Sequence, residues 1–286
     1  MSTNSSFTGD ILANALPYIQ KYYGKTIVIK YGGNAMISDT LRDSVVNDII
    51  LLKCVGINPV VVHGGGPHIS KFLKKLNIES KFINGLRYTS AEVIDLVQMT
   101  LGGKVNKDLV SLFQKFGGKA IGLCGMDGAL IEAKKYVSSE DLGYVGEITN
   151  INTEVLEIAL KSDYIPIVGS IALSPDGNSV YNINADTCAS KIAASLKAEK
   201  LILLTDIEGV MLDINNSNTL ISKLRLHEIP KLTQDGVIKS GMIPKIDCCV
   251  EAVRMGVTKA HIIDGRVKNS LLLELFSDDG IGTMIY

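Results

Sequence analysis

Two apolar segments of the sequence end in residues that could hold an anion. The segment at residues 26–33 reads TIVIKYGG, and the segment at residues 59–67 reads PVVVHGGGP. In an open α/β sheet, ligands bind at the carboxyl ends of strands, and glycine there lets backbone N–H groups approach an anion closely. Glycines that only turn a strand into a helix would explain either segment alone equally well. The two segments together, one of them carrying Lys30, predict a single phosphate-binding crevice.

A second lysine and a carboxylate could complete the chemistry. Lys245 follows the segment KSGMIP at residues 239–244, and Asp186 lies among small residues at the start of a predicted helix. Phosphoryl transfer needs fixed cations to match the charge that develops on the transferred group. A carboxylate between two lysines is itself stabilised by them, so Asp186 could hold both ammonium groups in place. On local signals alone, Asp186 would be a helix cap and Lys245 a solvated loop lysine.

Composition favours a globular, intracellular protein with a small-molecule partner. The chain has 286 residues, of which 46% are hydrophobic, and this supports a large core. Its 29 lysines and arginines nearly cancel its 30 aspartates and glutamates, so no global field recruits nucleic acid or an anionic membrane. No stretch reaches the roughly eighteen apolar residues that a membrane span needs. The five cysteines form no Cys-x-x-Cys pair and indicate reduced core thiols rather than disulfides or a metal site.

The hydrophobic pattern alternates helices and strands. Apolar positions three and four residues apart predict an amphipathic helix over residues 10–23, which Pro17 should bend or interrupt. Apolar runs predict strands at residues 26–33, 59–63, 120–124, 165–171, 200–205 and 260–264, a hairpin over residues 130–144 and a helix beginning at residue 246. Both halves of the chain show this β/α alternation, so we expect them to share one continuous sheet.

Six short motifs, taken in order, resemble the amino-acid kinase family. They are IKYGG at residues 29–33, VHGGGP at 62–67, GLRY at 85–88, NINAD at 182–186, LTDIEG at 204–209 and GMIPK at 241–245. The resemblance runs from about residue 25 to the C-terminus and is greatest to the branch that phosphorylates N-acetyl-L-glutamate. It implies an α/β fold, in which a three-layer α/β/α sandwich is built around a mostly parallel, open central sheet.

The resemblance also implies an activity and a division of the chain. ATP, with Mg²⁺ carried by the nucleotide, would phosphorylate N-acetyl-L-glutamate to N-acetyl-L-glutamyl 5-phosphate in arginine biosynthesis. An N-terminal extension over residues 1–24 would precede an acetylglutamate-binding lobe over residues 25–180 and an ATP-binding lobe over residues 181–286. No protein ligand to a metal ion is predicted.

Single residues receive roles from the same resemblance. Lys30 and Lys245 would stabilise the transition state, and Asp186 would position them. The predicted substrate-binding residues are Gly65, Gly66, Arg87 and Asn182, and the predicted nucleotide-binding residues are Gly32, Gly33, Asp206, Gly209, Val210, Met211, Val237, Ile238 and Lys239. Arg87 would bind the α-carboxylate, although an exposed surface arginine is the alternative. Since an ionised carboxylate can attack phosphorus directly, His63 is interpreted as a satisfied strand-end histidine rather than a base.

Regulation is implied by likeness to an arginine-sensitive subgroup of cyanobacterial and plastid type. In that subgroup an N-terminal helix joins dimers into a homohexamer, L-arginine inhibits, and the PII signalling protein can bind. Arginine would lie near Tyr23, Lys200, His261, Glu274 and Gly280. The alternative for residues 10–23 is a helix packed on its own subunit. Residues 1–7 lack the features of a signal peptide, so we expect the plastid stroma for a plastid-encoded protein and otherwise the cytoplasm.

Two other functions remain open from the sequence. The phosphate-binding residues do not name the acceptor, so a kinase of another small carboxylate or of carbamate is one alternative. Arg87 and Asn182 favour N-acetylglutamate over these acceptors. A non-catalytic metabolite sensor on the same fold is the other alternative, and the joint presence of Lys30, Asp186 and Lys245 argues against it.

Overall fold

The computed structural model of the chain describes residues 13–36, 38–214, 216–278 and 280–286. Residues 1–7 and the first three residues of the predicted N-terminal helix lie outside these ranges. The first helix, α1, covers residues 13–22. The expected interruption at Pro17 is not seen. Pro17 lies in the first turns of the described helix. Because proline has no N–H, the hydrogen bond to the carbonyl oxygen of residue 13 is the one that is lost.

Strands and helices alternate along the described chain. The strands are β1 (Thr26–Tyr31), β2 (Asn58–His63), β3 (Phe82–Ile83), β4 (Leu86–Arg87), β5 (Ala120–Cys124), β6 (Ile131–Lys135), β7 (Gly146–Ile151), β8 (Ile165–Gly169), β9 (Ile171–Leu173), β10 (Val180–Asn182), β11 (Lys200–Thr205), β12 (Lys223–Leu224), β13 (Lys259–Asp264) and β14 (Thr283–Ile285). The remaining helices are α2 (Asp39–Cys54), α3 (Gly66–Lys75), α4 (Ala91–Gln98), α5 (Asn106–Lys115), α6 (Glu154–Lys161), α7 (Ala185–Ser195), α8 (Ile229–Gln234), α9 (Met242–Arg254) and α10 (Ser270–Leu275). The hairpin predicted over residues 130–144 has the wrong bounds, because β7 begins only at residue 146.

One sheet runs through both halves of the chain. Among the described residues it has eight strands, in the order β12-β14-β13-β11-β1-β2-β8-β5. β1 pairs in parallel with β11 on one side and with β2 on the other, so that Ile29 stands opposite Ile202 and Val61. Within this described sheet, β13 and β14 form the one antiparallel pair. The sheet is therefore mostly parallel and continuous, as the sequence predicted.

Helices cover both faces of this sheet. Val28 and Val60 belong to a core that includes Ile192 of α7, whereas Ile29 and Val61 belong to a second core that includes residues of α2 and α5. Successive side chains of a strand point to opposite faces, so strands buried on both faces read as unbroken apolar runs. The two cores on opposite faces form the predicted α/β/α sandwich.

Two smaller units carry predicted binding residues. The strands β10, β9, β6 and β7 form a second sheet, and β3 and β4 form a hairpin. Arg87 lies on β4 and Asn182 lies at the end of β10, from which the chain continues into α7. These units therefore supply side chains to the carboxyl end of the central sheet.

A π-helical segment interrupts the long helix between residues 91 and 115. α4 passes into a π-helix over Met99–Val105, which contains Gly102 and Gly103, and α5 begins at Asn106. A π-helix bonds each residue to the fifth one along, and this changes which side chains of the following helix face inward. Asn106 is buried on α5 together with Leu109. The sequence did not predict the π conformation.

A buried carboxylate joins α2 to α10. Asp48 of α2 is buried and accepts hydrogen bonds from the backbone N–H groups of Leu271 and Leu272, at the start of α10. Burial raises the pKa of Asp48 to about 7, although these hydrogen bonds act to lower it. The folded protein therefore favours the protonated carboxyl group.

We expect Asp48→Asn to raise the melting temperature by several degrees at about pH 8 and to have little effect at about pH 4. The folded pKa of Asp48 lies above the unfolded value of 3.8, so its contribution to stability is full below that value and is lost as the pH rises through about 7. A neutral amide avoids this loss, and its oxygen can still accept from α10. Thermal unfolding at both pH values measures the effect. Asp39→Asn, an exposed position on the same helix, is the control and should show no such pH dependence.

Candidate active site

A cavity of about 290 Å³ lies at the carboxyl ends of β1 and β2, and we call it the first cavity. Its walls include the predicted substrate-binding residues, one predicted catalytic lysine and two predicted nucleotide-binding glycines, namely Gly65, Gly66, Arg87, Asn182, Lys30, Gly32 and Gly33. Phe82 and Leu101 add apolar surface. The fold thus brings residues from four separate sequence motifs to one cavity.

Two glycine segments shape the backbone of the first cavity. Gly33 has a φ of +68°, a left-handed conformation that favours glycine. Gly65 is the N-cap of α3 and Gly66 is its first residue. The first N–H groups of a helix have no intrahelical acceptor, and the helix dipole favours negative charge there. Both segments can therefore donate backbone hydrogen bonds to phosphate or carboxylate oxygens.

Arg87 is buried and held by the protein itself. Its guanidinium group donates to the carbonyl oxygen of Gly66 at 3.1 Å, to Ser70 Oγ at 2.8 Å and to Ser80 Oγ, and it lies 4.6 Å from the centroid of the Phe82 ring. Burial lowers the pKa of Arg87, but a guanidinium group remains charged at neutral pH. The alternative of an exposed surface arginine is wrong. A buried guanidinium group with donors left over can attract and bind a carboxylate.

Thr89 links the other predicted substrate residue to Arg87. Asn182 Nδ2 donates to Thr89 Oγ1 at 3.2 Å, and Thr89 Oγ1 donates to the carbonyl oxygen of Arg87 at 2.8 Å. Ser90 caps α4 by accepting from the N–H of Val93, so Thr89 is not needed as the cap. Sequence reasoning missed this linking role of Thr89, for which the sequence carries no signal.

Asp186 joins the two predicted catalytic lysines. Lys30 Nζ lies 2.9 Å from Asp186 Oδ1, and Lys245 Nζ lies 2.7 Å from Asp186 Oδ2. Burial alone would raise the pKa of Asp186, but the ammonium groups of Lys30 and Lys245 outweigh it and lower the pKa to about 2. Asp186 is therefore a carboxylate at neutral pH, and it neutralises part of the positive charge that the two lysines bring together.

Asn184, not Asp186, caps α7. Asn184 Oδ1 accepts from the backbone N–H groups of Asp186 at 2.9 Å and of Thr187 at 3.1 Å. The carboxylate of Asp186 is then available to the lysines, and its place in the first turn is favoured by the helix dipole. The helix-cap alternative for Asp186 is wrong. An asparagine two residues before it, at the start of a helix, is the signal that could have separated the two roles.

Lys245 belongs to a helix rather than to a loop. α9 begins at Met242, whereas the sequence predicted a helix beginning at residue 246. The Lys245 side chain lies in the first turn and is only 20% exposed, so the alternative of a solvated loop lysine is wrong. Pro244 had argued for a loop, but a proline is tolerated in the first turn because the N–H groups there lack intrahelical partners.

A second cavity, of about 600 Å³, adjoins Lys245. It is lined by most of the predicted nucleotide-binding residues, namely Asp206, Gly209, Val210, Met211, Val237 and Lys239. Leu212 and Ile214 add apolar surface, and a cavity of this size with few polar groups suits a nucleotide. The Ile238 side chain is buried in the core instead, so it could contact a nucleotide only through its backbone.

The lysine and aspartate side chains connect the two cavities, since Lys30 lines the first and Lys245 lines the second. Over the ranges that the structure covers, no three His, Cys, Asp or Glu side chains are placed to hold a metal ion together. Both oxygens of Asp186 face lysines.

The predicted regulatory residues form a buried cluster. Lys200 Nζ donates to His261 Nε2 at 2.8 Å, and His261 Nδ1 donates to Glu274 Oε1 at 2.5 Å. Glu274 Oε2 accepts from the N–H of Ile281 at 2.8 Å, and Gly280 lies against the same carboxylate. Burial lowers the pKa of Lys200 to about 8 and lowers that of His261. The structure brings these four predicted residues together.

Tyr22, rather than Tyr23, faces this cluster. Lys200 Nζ lies 5.2 Å from the centroid of the buried Tyr22 ring, whereas Tyr23 is 70% exposed and packs beside Gly56. Helical positions 15, 19 and 22 lie on one face, and a neighbouring residue is turned about 100° away. The prediction had named Tyr23, whereas the spacing of residues 15, 19 and 22 would have given Tyr22.

The chain belongs to the amino acid kinase family, whose sequence description matches residues 25–264. Acetylglutamate kinase from Clostridium beijerinckii is 68% identical over 283 residues, which cover 99% of each protein. Acetylglutamate kinase from Clostridium kluyveri is 63% identical and covers 99% of this chain and 100% of that protein. The structure of N-acetylglutamate synthase from Neisseria gonorrhoeae, complexed with coenzyme A and N-acetyl-glutamate, matches with a TM-score of 0.85 at 27% identity, over 96% of this chain and 62% of that one.

These relatives are bacterial and two of them are clostridial, so the predicted cyanobacterial or plastid type and the plastid location find no support in them. The predicted fold class and the kinase assignment agree with the family. Within the described ranges, no helix combines the length and the apolar composition that would let it span a membrane.

We expect Asp186→Asn to destabilise the protein by about 3 kcal/mol or more, because it leaves two partly buried ammonium groups without their counter-charge. Urea denaturation at neutral pH measures the change. The matched control is Asp108→Asn, which removes an exposed ion pair with Lys104 and should change the free energy of unfolding little. Equal effects of the two substitutions would mean that the carboxylate of Asp186 does not hold the lysines together.

Proposed function

We propose that this protein is a kinase that transfers the γ-phosphoryl group of ATP to the γ-carboxylate of N-acetyl-L-glutamate, in the biosynthesis of arginine. The products are ADP and N-acetyl-L-glutamyl 5-phosphate. The acetylglutamate kinases at 68% and 63% identity over nearly the whole chain support the acceptor. The observation that carries the proposal is the contact of Lys30 and Lys245 with Asp186, which joins a smaller cavity to a larger one.

The chemistry needs positioning and positive charge rather than a nucleophilic side chain. A carboxylate oxygen of the acceptor bonds to the γ-phosphorus, the bond to the bridging oxygen of the β-phosphate breaks, and ADP leaves with that electron pair. The acceptor is already ionised at neutral pH, so no base must remove a proton. Mg²⁺ bound to the nucleotide neutralises phosphate oxygens. Lys30 and Lys245 stabilise the transferred group from the two cavities, and Asp186 fixes their positions.

Four residues of the first cavity would hold the acceptor. Arg87 binds the α-carboxylate, because its fixed guanidinium group matches two carboxylate oxygens. Asn182 binds the acetylated backbone portion, and the N–H groups of Gly65 and Gly66 bind the γ-carboxylate. In this proposal residues 25–180 form the lobe for N-acetylglutamate and residues 181–286 form the lobe for ATP, with Gly32 and Gly33 meeting the phosphates between them.

A coupled assay of ADP release tests the acceptor. N-acetylglutamate should support turnover well above glutamate, aspartate, uridine monophosphate and carbamate, because only the first matches both Arg87 and Asn182. Equal rates with all acceptors would defeat the proposed substrate and favour another kinase of the family. Binding of ATP and N-acetylglutamate without any ADP release would favour the non-catalytic sensor.

We expect Lys30→Ala to lower kcat at least about a hundredfold while KM for N-acetylglutamate changes by less than about threefold. The ammonium group would act mainly on the charge that develops in the transition state, and such a loss falls on kcat. Steady-state kinetics measures both constants. Lys53→Ala is the control, since Lys53 pairs with an exposed aspartate outside both cavities and should keep normal turnover. A loss confined to KM would assign Lys30 to ground-state binding instead.

The same protein is proposed to be inhibited by L-arginine and to form a homohexamer. Lys200, His261, Glu274 and Gly280 are adjacent although they are far apart in sequence, and α1 covers them through Tyr22. A carboxylate such as that of Glu274 can bind a guanidinium group. Leu16 leaves about half of its surface exposed on α1, which supports pairing of this helix with a second copy. The expected PII interaction depended on likeness to cyanobacterial and plastid members and is not carried into the proposal.

Arginine added to the ADP-release assay should inhibit the wild-type protein, and Glu274→Gln should abolish the inhibition while keeping most of the activity without arginine. The amide oxygen can still accept the backbone N–H of Ile281, so the substitution removes charge rather than the fold of the segment. Light scattering should give the mass of six subunits, and Leu16→Asp should reduce it. Undiminished ADP release at saturating arginine would remove the regulatory proposal and leave the kinase proposal intact.

A further inference from the structure

A buried polar network lies behind the glycine segment of the first cavity. His63 Nδ1 is 3.0 Å from the carbonyl oxygen of Gly64, and His63 Nε2 is 3.0 Å from Asn106 Nδ2. His63 and Asn106 are both fully buried. His63 is therefore a satisfied histidine, as the sequence indicated, but its partners give it more than a packing role.

The partners fix the proton on His63. A carbonyl oxygen can only accept, so Nδ1 carries the hydrogen and donates it to Gly64. Nε2 is then the acceptor for the amide of Asn106. Burial lowers the pKa of His63 to about 4, which keeps this neutral tautomer at neutral pH. The carbonyl group of Gly64, one residue before the N-cap of α3, is thus held by a donor with a single available orientation.

Asn106 anchors the histidine to the central sheet. Its Nδ2 also lies 3.1 Å from the carbonyl oxygen of Leu123 on β5 and 2.8 Å from that of Ile167 on β8, so its two hydrogens are shared among three acceptors. Its Oδ1 accepts from Lys107 Nζ at 3.1 Å. One amide thereby connects the carboxyl ends of β2, β8 and β5. The side-chain amide of Asn106 cannot be flipped, because its oxygen would then face the two carbonyl oxygens of Leu123 and Ile167.

The network and the glycine segment are closely packed. A Cβ atom on Gly122 would lie 2.0 Å from Asn106 Oδ1, and one on Gly65 would lie 2.5 Å from Leu101 Cδ2. Leu101 belongs to the π-helix that precedes Asn106. Single π-helical turns occur frequently at functional sites. Here the turn places an apolar side chain against Gly65 and an amide against His63.

We propose that His63 and Asn106 are positioning residues, which hold the carbonyl group of Gly64 so that the N–H groups of Gly65 and Gly66 face the acceptor in the first cavity. This inference rests on the proposed function, because it takes those N–H groups as the acceptor's ligands. The peptide plane that carries the Gly64 carbonyl also carries the Gly65 N–H, so fixing one fixes the other. His63 needs no part in proton transfer for this role.

Two substitutions separate the donor of His63 from its acceptor. An asparagine amide reaches the position of Nδ1, so His63→Asn can still donate to Gly64. A glutamine amide reaches the position of Nε2, so His63→Gln keeps the contact with Asn106 and loses the one with Gly64. We expect His63→Gln to lower kcat/KM for N-acetylglutamate about tenfold, the effect of about one hydrogen bond, and His63→Asn to lower it less than about threefold. KM for ATP should change less than about twofold in both.

Stability and tautomer measurements complete the test. Ile49→Val, a core truncation outside the network, controls for a general loss of stability and should leave both KM values unchanged. Nitrogen NMR of histidine-labelled wild-type protein, assigned against His63→Asn, should show a neutral ring protonated at Nδ1 down to about pH 5. Equal kinetic losses in the two His63 variants, a similar loss in Ile49→Val, or a ring protonated at Nε2 would each overturn the proposal. If wild-type protein releases no ADP with N-acetylglutamate, the proposed function fails, and the NMR result still decides the tautomer.

Discussion

Two ammonium groups share one buried carboxylate, and the arrangement of the whole chain makes this contact feasible. Lys30 comes from β1, Asp186 from α7 and Lys245 from α9. Two lysines brought together without a counter-charge would repel each other, and burying any of these groups alone would cost several kcal/mol. The central position of β1, between β11 and β2, places Lys30 at the wall of the first cavity and within reach of Asp186. Asp186 lies in the first turn of α7. Because Asn184 accepts hydrogen bonds from the first N–H groups of this helix, the Asp186 carboxylate is left to contact the two lysines.

A charged network and a neutral network lie beside the first cavity and have different roles. The Lys-Asp-Lys contact supplies positive charge, whereas the His63–Asn106 contact supplies only orientation. His63 stands opposite Tyr31 in the ladder, one residue from Lys30. A protonated imidazole there would add a third positive charge close to the lysine, and its burial prevents this. The positive field is therefore confined to the side chains that could meet phosphate.

The sequence predicted the sheet and the glycine segments of the first cavity because both leave local patterns, whereas Arg87 and Asn182 were placed there only by resemblance to the family. Unbroken apolar runs mark strands buried on two faces, and glycines after such runs mark their ends. Features that depend on distant partners were not predictable in this way. Arg87 is buried only because Ser70, Ser80 and Phe82 surround it. Pro244 suggests a loop when the local sequence is read alone, but it lies in the first turn of α9. The π-helix has no local signature beyond Gly102 and Gly103. Tyr22 was missed because Tyr22 and Tyr23 are the same residue type and differ only in the side of the helix on which they lie.

The place of β1 in the sheet also governs the order in which the chain can fold. β1 pairs with β2 from about thirty residues further on, but its other neighbour, β11, begins at Lys200. Pairings so distant in sequence form late, because the intervening loop must close first. A chain still emerging from the ribosome would therefore hold Lys30 on a half-formed sheet edge, exposed to solvent, until the segment carrying Asp186 and β11 arrives. The charged contact that the site depends on is then a late event in folding, and an incomplete chain exposes an apolar strand edge that is prone to aggregation.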